Sequence, residues 1–312
     1  MTSVMPDSVE IIDQRDPAES MKAVKNAVEI DCTRKAHEKD GAAMVQFIKW
    51  VKAQMASGAA LTELDAAGYA ERCRKQQDGY KQPSFDTIAG YASNGAIVHY
   101  SATEESNETL QPEGFLLVDS GGQYTDGTTD ITRTIAVGPL TQEMKEHYTL
   151  VLKGHIALAA AQLDDNTSGA ELDALARGAL NARGLNYNHG TGHGVGHLLS
   201  VHEGPNTINP RAGGVYFKPG MITSDEPGLY LEGKYGIRLE NEILCVKDEE
   251  GDNMHFETIT WCPWERDAIV KNMMSTDEIR WVDEYHETVY RTLSPYLDDE
   301  TRMWLAEAAA PL

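Results

Sequence analysis

The segment around Asp119 and Asp130 limits the fold of this chain more than any other feature. Residues 115–119 form an apolar run, residues 130–137 form a second strand-like run, and residues 121–127 between them are rich in glycine. This pattern predicts two strands joined by a turn, with an aspartate at the end of one strand and at the start of the next. Both carboxylates then lie at one end of a sheet, where they repel each other unless a cation lies between them. A solvated acidic loop is the ordinary alternative for a single aspartate, but the apolar flanks do not allow it to explain both.

Helical and strand-like stretches alternate along two successive halves of the chain. The helical patterns cover residues 20–57 (with Ser20 as the cap), 62–77, 141–163, 168–183, 276–293 and 298–309. The strand-like patterns cover residues 96–100, 115–119, 130–137, 221–226, 236–246 and 255–260. Helices flanking mixed short strands predict one α+β domain with a site between its halves.

Charge and hydropathy exclude several classes of function. The 312 residues carry 27 basic and 49 acidic side chains, a formal charge of -22. Such a surface repels nucleic acids and anionic membranes, so neither is an expected partner. The start of the chain is polar, so a signal peptide is not expected. The sequence has no run of eighteen apolar residues, so a membrane-spanning helix is not expected either. The four cysteines are scattered without a CxxC pair, which is typical of reduced thiols and a cytoplasmic location.

A glycine-rich segment, residues 189–204, concentrates histidines. His189, His193, His197 and His202 fall within fourteen residues. His193 and His197 have the four-residue spacing of helical zinc motifs, but the glycines between them argue for a loop whose backbone passes close to a ligand. A lone histidine more often has a structural role than a functional one, and that is the interpretation for His197, which receives no functional role.

Two acidic segments follow in the second half. Glu226 lies in a segment at residues 223–230, and Arg238, Glu240 and Glu242 occupy alternate positions of a predicted strand, so they share one face. Burying Glu240 without a counter-charge is costly. Either a metal ion or a structural salt bridge with Arg238 would supply the counter-charge.

Together the segments offer two aspartates, one histidine and two glutamates as metal ligands: Asp119, Asp130, His193, Glu226 and Glu240. This hard, oxygen-rich set suits Mn²⁺, or Zn²⁺ and Co²⁺ by substitution. Two divalent ions a few ångströms apart can share a bridging hydroxide. Asp126, His197 and Glu242 are suitable by residue type, but their spacing and motif context leave them outside the set.

The motifs closely resemble those of the pita-bread metallopeptidases, which include methionine aminopeptidase, prolidase and aminopeptidase P. The best match is the catalytic domain of the cytosolic Xaa-Pro aminopeptidases. The stretches that carry the resemblance are residues 94–100, 119–134, 189–196, 201–205, 225–228 and 236–241. The resemblance implies a pita-bread fold with two pseudo-symmetric halves around a dinuclear metal site. It divides the chain into an N-terminal extension, residues 1–20, and a catalytic domain, residues 21–312.

The resemblance also implies a role for each ligand. Asp119 would chelate one metal ion, and Asp130 and Glu240 would bridge the two ions. His193 and Glu226 would complete the shell of the other ion. Glu226 would also accept and return the proton during hydrolysis.

Four further residues receive substrate-related roles from the resemblance. His99 would lie over the site near the substrate backbone, and His189 would help to form the substrate pocket. His202 would stabilise the tetrahedral intermediate. Arg238 would orient the neighbouring carboxylate or the product.

The activity implied by the resemblance is hydrolysis of the bond between an N-terminal residue and a penultimate proline, with a metal-bridging hydroxide as the nucleophile. The alternatives are a prolidase that cleaves Xaa-Pro dipeptides and a non-catalytic peptide-binding domain. The second would be expected to lack several ligands, and this chain lacks none. The resemblance further implies a homodimer. Long members of the family carry extra N-terminal domains, so the expectation is a natural short form or a fragment.

Overall fold

The computed structural model describes residues 6, 8, 16–248 and 251–312, so most of the predicted extension at residues 1–20 lies outside the described part. The α-helices in the described part are Pro17–Ala23 (α1), Ala27–Ser57 (α2), Glu63–Lys75 (α3), Gln142–Ala159 (α4), Gly169–Asn181 (α5), Thr276–Leu293 (α6) and Asp299–Ala308 (α7). Within these residues, no helix is both long enough and apolar enough to cross a lipid bilayer.

The strands are short. They are Tyr80–Pro83 (β1), Ile88–Tyr91 (β2), Phe115–Ser120 (β3), Gly122–Tyr124 (β4), Gly127–Thr128 (β5), Ile131–Ala136 (β6), Gln162–Leu163 (β7), Gly192–Gly194 (β8), Glu203–Ile208 (β9), Ile222–Asp225 (β10), Gly228–Leu231 (β11), Tyr235–Arg238 (β12), Asn241–Lys247 (β13) and Met254–Thr258 (β14).

Two antiparallel sheets organise the molecule. The first has three strands in the order β2-β3-β6, and the second has six in the order β7-β14-β13-β10-β8-β9. Two small antiparallel sheets, β1-β4-β5 and β11-β12, accompany them. Helices α2 and α3 pack their apolar side chains on the three-stranded sheet, whereas α4 and α5 pack on the six-stranded one. The predicted α+β class is confirmed.

The predicted helix at residues 20–57 is two helices. Asp16 caps α1, so Ser20 lies inside a helix rather than at its start. Asn26 caps α2 through a capping box with Glu29, which satisfies backbone N–H groups at the helix start. α2 continues through Gly41. A Cβ at this position would lie 2.3 Å from the carbonyl oxygen of Trp261, so the glycine permits close packing.

Two predicted strands also differ from the structure. Residues 96–100 are not a strand: a 3₁₀ helix, Ala92–Ala96, is followed by a turn, and the strand is the preceding β2. The predicted strand at residues 236–246 is divided into β12 and β13, which belong to different sheets. At the break, the Leu239 N–H donates to the carbonyl of Pro227, and the Glu240 N–H donates to that of Thr132. The chain passes between sheets at the residue predicted to be a bridging ligand.

Candidate metal centre

A cavity of about 480 Å³ is lined by residues from both the three-stranded and the six-stranded sheet. All nine predicted site residues line it, namely His99, Asp119, Asp130, His189, His193, His202, Glu226, Arg238 and Glu240. Apolar side chains such as Phe85, Ile88 and Val201 complete the wall. The cavity therefore combines polar and apolar lining residues, which is typical of a ligand site.

The predicted strand–turn–strand segment brings Asp119 and Asp130 to one edge of the three-stranded sheet. Asp119 lies in β3 and pairs with Thr132 of β6, and Asp130 directly precedes β6. Both aspartates are buried, with 9% and 4% of their surface exposed. Burial, followed by the charges of Glu240 and Asp119, raises the pKa of Asp130 well above its usual range. These are the crowded carboxylates that the sequence pattern predicts.

Glu240 enters the cavity from the break between β12 and β13. Its side chain is 1% exposed, and the Thr132 hydroxyl donates a hydrogen bond of 2.6 Å to Glu240 Oε2. Burial raises the pKa of Glu240, and the nearby carboxylates of Glu226 and Asp119 raise it further. The carboxyl is thus held firmly beside other acidic groups, which is unfavourable without a cation.

The six-stranded sheet supplies His193 and Glu226. His193 lies in β8, and Glu226 directly follows β10. Ser224 joins these two residues: its hydroxyl accepts a 3.0 Å hydrogen bond from the His193 N–H and donates one of 3.0 Å to Glu226 Oε1. His193 Nε2 lies 3.3 Å from Glu226 Oε1 and 3.5 Å from Asp130 Oδ2. The imidazole therefore faces carboxylates from both sheets.

The loop predicted for residues 189–204 is wrong at His193, because residues 192–194 form a strand. A Cβ at Gly192 would lie 2.0 Å from the carbonyl oxygen of Ser224, and one at Gly194 would lie 2.2 Å from that of Glu203. These glycines allow β8 to lie directly against its neighbours. The same glycines that argued against a helix therefore permit a tightly packed strand.

The donor set fits divalent cations. Asp130, His193 and Glu240 each offer a ligand atom, and these atoms lie within 4.8 Å of one another. Three buried carboxylate oxygens of the predicted ligand set have no hydrogen-bond partner among the described residues: Asp119 Oδ1, Asp130 Oδ1 and Glu240 Oε1. Buried anionic oxygens are costly unless a cation or a donor satisfies them. Bound metal ions would satisfy all three.

Arg238 pairs with a different carboxylate from the one expected. Its Nη2 donates to Asp119 Oδ2 at 2.7 Å, and its Nη1 donates to the hydroxyl of Tyr230 at 2.7 Å. Among the described residues, no ion pair joins Arg238 to Glu240, so a salt bridge within one strand does not explain the burial of that glutamate. The physical reason is the break between β12, which ends at Arg238, and β13, which begins at Asn241, because it removes the shared strand face.

Histidines line part of the cavity, and Tyr230 lies behind one of them. The rings of His193 and His202 meet edge to face, with centroids 4.2 Å apart. Burial lowers the pKa of His202 and lowers the pKa of His189 to about 4, so both imidazoles are neutral near pH 7. Because Arg238 donates to Tyr230, the Tyr230 hydroxyl can donate to His189 Nε2, which lies 2.8 Å away.

Three supporting residues were missed in the sequence: Thr132, Ser224 and Tyr230. Thr132 and Ser224 each lie two residues from a ligand, so the alternation of a strand was an available signal. Tyr230 had no such signal, because both of its polar partners reach it through tertiary contacts.

The three acidic or histidine residues left outside the ligand set do not line the cavity. Asp126 forms an ion pair with Lys39. The Nδ1 atom of His197 lies 3.1 Å from the Thr33 hydroxyl of α2. Glu242 Oε1 lies 3.2 Å from Nε2 of His37, also in α2. His197 and Glu242 thus face helix α2 and join it to the sheets.

Comparisons with known proteins agree with this geometry. A family model described as metallopeptidase family M24 matches residues 31–247, and a model of the C-terminal region of peptidase M24 matches residues 252–312. A "Probable Xaa-Pro aminopeptidase P" from Laccaria bicolor is 40% identical over 308 residues, which cover 96% of this chain and 48% of the relative. This chain spans about half the length of the curated relatives it matches.

Solved structures share the fold. The X-prolyl aminopeptidase of Caenorhabditis elegans, described as a cytosolic enzyme with a di-nuclear active site, has a TM-score of 0.92 and 38% identity, covering 95% of this chain and 50% of that one. The prolidase of Pyrococcus furiosus has a TM-score of 0.66 and 27% identity, covering 78% of this chain and 66% of that one. These likenesses confirm the predicted pita-bread fold.

Proposed function

The chain belongs to metallopeptidase family M24, and from this membership we propose that it hydrolyses the bond between an N-terminal residue and a penultimate proline. The observation that carries the proposal is the convergence of all nine predicted site residues on one cavity. The name Xaa-Pro aminopeptidase P, borne by relatives that match nearly the whole chain, supports the same substrate class.

The proposed cofactor is a pair of divalent cations, most suitably Mn²⁺, held by Asp119, Asp130, His193, Glu226 and Glu240. The set is mainly carboxylate, which favours hard ions. When bound, the ions would supply an activated water and electrostatic stabilisation of the developing negative charge. The three unpartnered carboxylate oxygens support this assignment independently of the family.

Glu226 is proposed to hold and return the proton. Burial raises the pKa of its carboxyl, so it accepts a proton more readily than an exposed glutamate does. The hydroxyl of Ser224, which donates to Oε1, fixes its orientation. Proton transfer depends on this geometry as much as on the pKa.

The histidines are proposed to act on the substrate as hydrogen-bonding groups without charge. His202 is neutral near pH 7, and its ring packs edge to face against that of His193. A ring N–H of His202 can therefore donate to the oxyanion that forms at the scissile carbonyl. His99 lines the cavity beside Val98, where it would contact the substrate backbone. His189 and Arg238, joined through Tyr230, would shape the pocket for proline, which lacks an N–H and has a fixed ring.

A prolidase activity is the second candidate, because the likeness to the prolidase of Pyrococcus furiosus extends over most of this chain. Purified protein, stripped with chelator and reloaded with Mn²⁺, would be offered an Xaa-Pro-Xaa tripeptide, an Xaa-Pro dipeptide and a Met-initiated peptide without proline. Cleavage of the tripeptide alone supports the aminopeptidase. Cleavage of the dipeptide alone supports prolidase, and no metal-dependent hydrolysis of any peptide refutes the enzyme and leaves a peptide-binding domain.

The ligand assignment has its own test. Glu240→Ala is expected to lose bound metal, measured by elemental analysis, together with tripeptide hydrolysis. Glu257→Ala is the control, because it removes a carboxylate that pairs with Arg34 away from the cavity. This variant should keep both its bound metal and its tripeptide hydrolysis. Normal metal content and turnover in Glu240→Ala would show that the assignment is wrong.

The remaining proposals concern the setting of the enzyme. We propose that residues 21–312 form the catalytic domain, that the protein acts in the cytoplasm and that it forms a homodimer. Its charge of -22 supports partners that are peptides rather than nucleic acids or anionic membranes.

A further inference from the structure

We propose that Glu63 is a positioning residue that fixes the segment carrying His99 over the cavity. The inference rests on the proposed function, because it assigns a means of placing a substrate-contacting histidine. Glu63 is the first residue of α3, it is fully buried, and it does not line the cavity.

The Glu63 carboxylate receives hydrogen bonds from both sides of one segment, residues 92–107. Its Oε1 accepts from the Tyr91 N–H at 2.7 Å and from Asn94 Nδ2 at 3.1 Å. Its Oε2 accepts from the Tyr100 hydroxyl at 2.7 Å and from the Glu108 N–H at 3.0 Å. A buried carboxylate with this many donors is a strong local anchor, since bonds to a charged acceptor are the stronger ones.

The backbone of α3 is attached to the same segment. The Glu63 N–H donates to the carbonyl of Glu108, the Leu110 N–H donates to that of Leu61, and the Leu64 N–H donates to the side chain of Asn107. The start of α3 therefore closes the segment at its base, with the carboxylate of Glu63 in the middle.

His99 depends on this anchoring. It is exposed at the cavity, and among the described residues its imidazole has no hydrogen-bond partner, so the surrounding backbone sets its position. The next residue, Tyr100, is buried and bonds through its hydroxyl to Glu63 and to the carbonyl of Ser106. The anchor thus lies one residue from the histidine.

The opposite side of the segment is fixed by backbone packing. A Cβ at Gly236 of β12 would lie 1.8 Å from the carbonyl oxygen of Gly95, and one at Gly90 would lie 2.8 Å from the Gly95 backbone. Ala92, the first residue of the 3₁₀ helix, has φ 48°, which is unusual for a residue other than glycine. A segment in strained backbone, packed on one side and anchored by one carboxylate on the other, requires the anchor to stay in place.

Glu63→Gln keeps the size of the side chain but replaces one acceptor oxygen with a donor, so at least one N–H or O–H of the segment then faces an N–H. We expect kcat/KM for the Xaa-Pro-Xaa tripeptide to fall by about 10- to 100-fold, a scale set by small misplacements in active sites. Bound metal should stay at the wild-type level, because Glu63 is not beside the ligands.

A double-mutant cycle with His99→Ala separates positioning from a general loss of stability. If Glu63 acts through His99, Glu63→Gln should change kcat/KM by less than about threefold in the His99→Ala background. An equal loss in both backgrounds would mean that Glu63 supports the fold as a whole, and the proposal would be overturned. Glu278→Gln is the control, since Glu278 also caps a helix start, that of α6, away from the cavity.

A second readout needs no activity. Hydrogen exchange at residues 92–107 should be faster in Glu63→Gln than in the wild type, with exchange in β3 unchanged; equal exchange in the segment would refute the anchor. If Glu63→Gln does not fold, Tyr100→Phe takes its place, because it removes only one donor to the Glu63 carboxylate. Tyr100→Phe should also make hydrogen exchange at residues 92–107 faster than in the wild type, by a smaller factor. Inactive wild-type protein would count against the proposed function, while the exchange experiment would still decide the anchoring by Glu63.

Discussion

Thr132→Val is expected to weaken metal binding without disturbing the fold. Thr132 is fully buried in β6, and its hydroxyl donates the 2.6 Å hydrogen bond to Glu240 Oε2. Valine has nearly the same shape but cannot donate. The substitution leaves both oxygens of the Glu240 carboxyl without a protein donor, since Oε1 already has none among the described residues.

The size of the effect follows from the two states of Glu240. Burial and its acidic neighbours raise the pKa of this carboxyl, so without metal it tends to carry a proton and forms a neutral hydrogen bond, worth about 1 kcal/mol. Bound metal requires the ionised form, for which the bond contributes about 1.5–3 kcal/mol. The difference of about 0.5–2 kcal/mol corresponds to a metal affinity about 2- to 30-fold weaker.

The assay is competition for Mn²⁺ between the stripped protein and a chromophoric chelator. Thr149→Val is the matched control, because Thr149 is equally buried and its hydroxyl bonds to the backbone of α4, away from the cavity. The control should bind Mn²⁺ as the wild type does. A dissociation constant for Thr132→Val within twofold of the wild-type value would refute the role given to this hydrogen bond.

Two other predictions test the packing and the electrostatics of the centre. Gly236→Ala should lower the free energy of unfolding by about 3 kcal/mol, because its Cβ would meet a carbonyl oxygen at 1.8 Å. Gly178→Ala, on an open helix face, should raise the free energy of unfolding by about 0.5–1 kcal/mol. Urea denaturation measures both values, and equal effects would contradict the packing argument. The folded-state pKa values of Asp130 and Glu240 lie above those of unfolded chains, so their stabilising contribution is present below about pH 4 and is lost as the pH rises through the folded values. Chelator-treated protein should therefore become less stable relative to Mn²⁺-loaded protein between pH 5 and pH 8, and a constant difference in melting temperature would refute this.

The local part of the site could be predicted from the sequence. Asp119 and Asp130 lie in a strand–turn–strand segment whose pattern is visible within about twenty residues, and the structure has that segment at the same place. The pairing of Arg238 with Asp119 could not be predicted, because the two residues are 119 positions apart and a strand break redirects the arginine. Alternation alone placed Arg238 beside Glu240.

The secondary structure of glycine-rich segments could not be predicted from the sequence pattern, for a physical reason. Glycine has no side chain to show a period, so residues 192–194 looked like a loop although they form a strand. Residues 96–100 failed in the opposite way, since apolar alternation predicted a strand where Glu63 and the packing of Gly95 impose a 3₁₀ helix and a turn. Both outcomes depend on contacts between distant parts of the chain.

The division of the proposed ligands between two sheets would make metal affinity a measure of how the sheets dock against each other. Asp119 lies in the three-stranded sheet and Asp130 directly precedes one of its strands, whereas His193 lies in the six-stranded sheet and Glu226 directly follows one of its strands. An ion bound by both pairs would join the sheets, so its binding free energy includes the free energy of holding them at the right separation. By linkage, any ligand that favours a different separation of the sheets must change metal affinity by the same factor by which bound metal changes the affinity for that ligand.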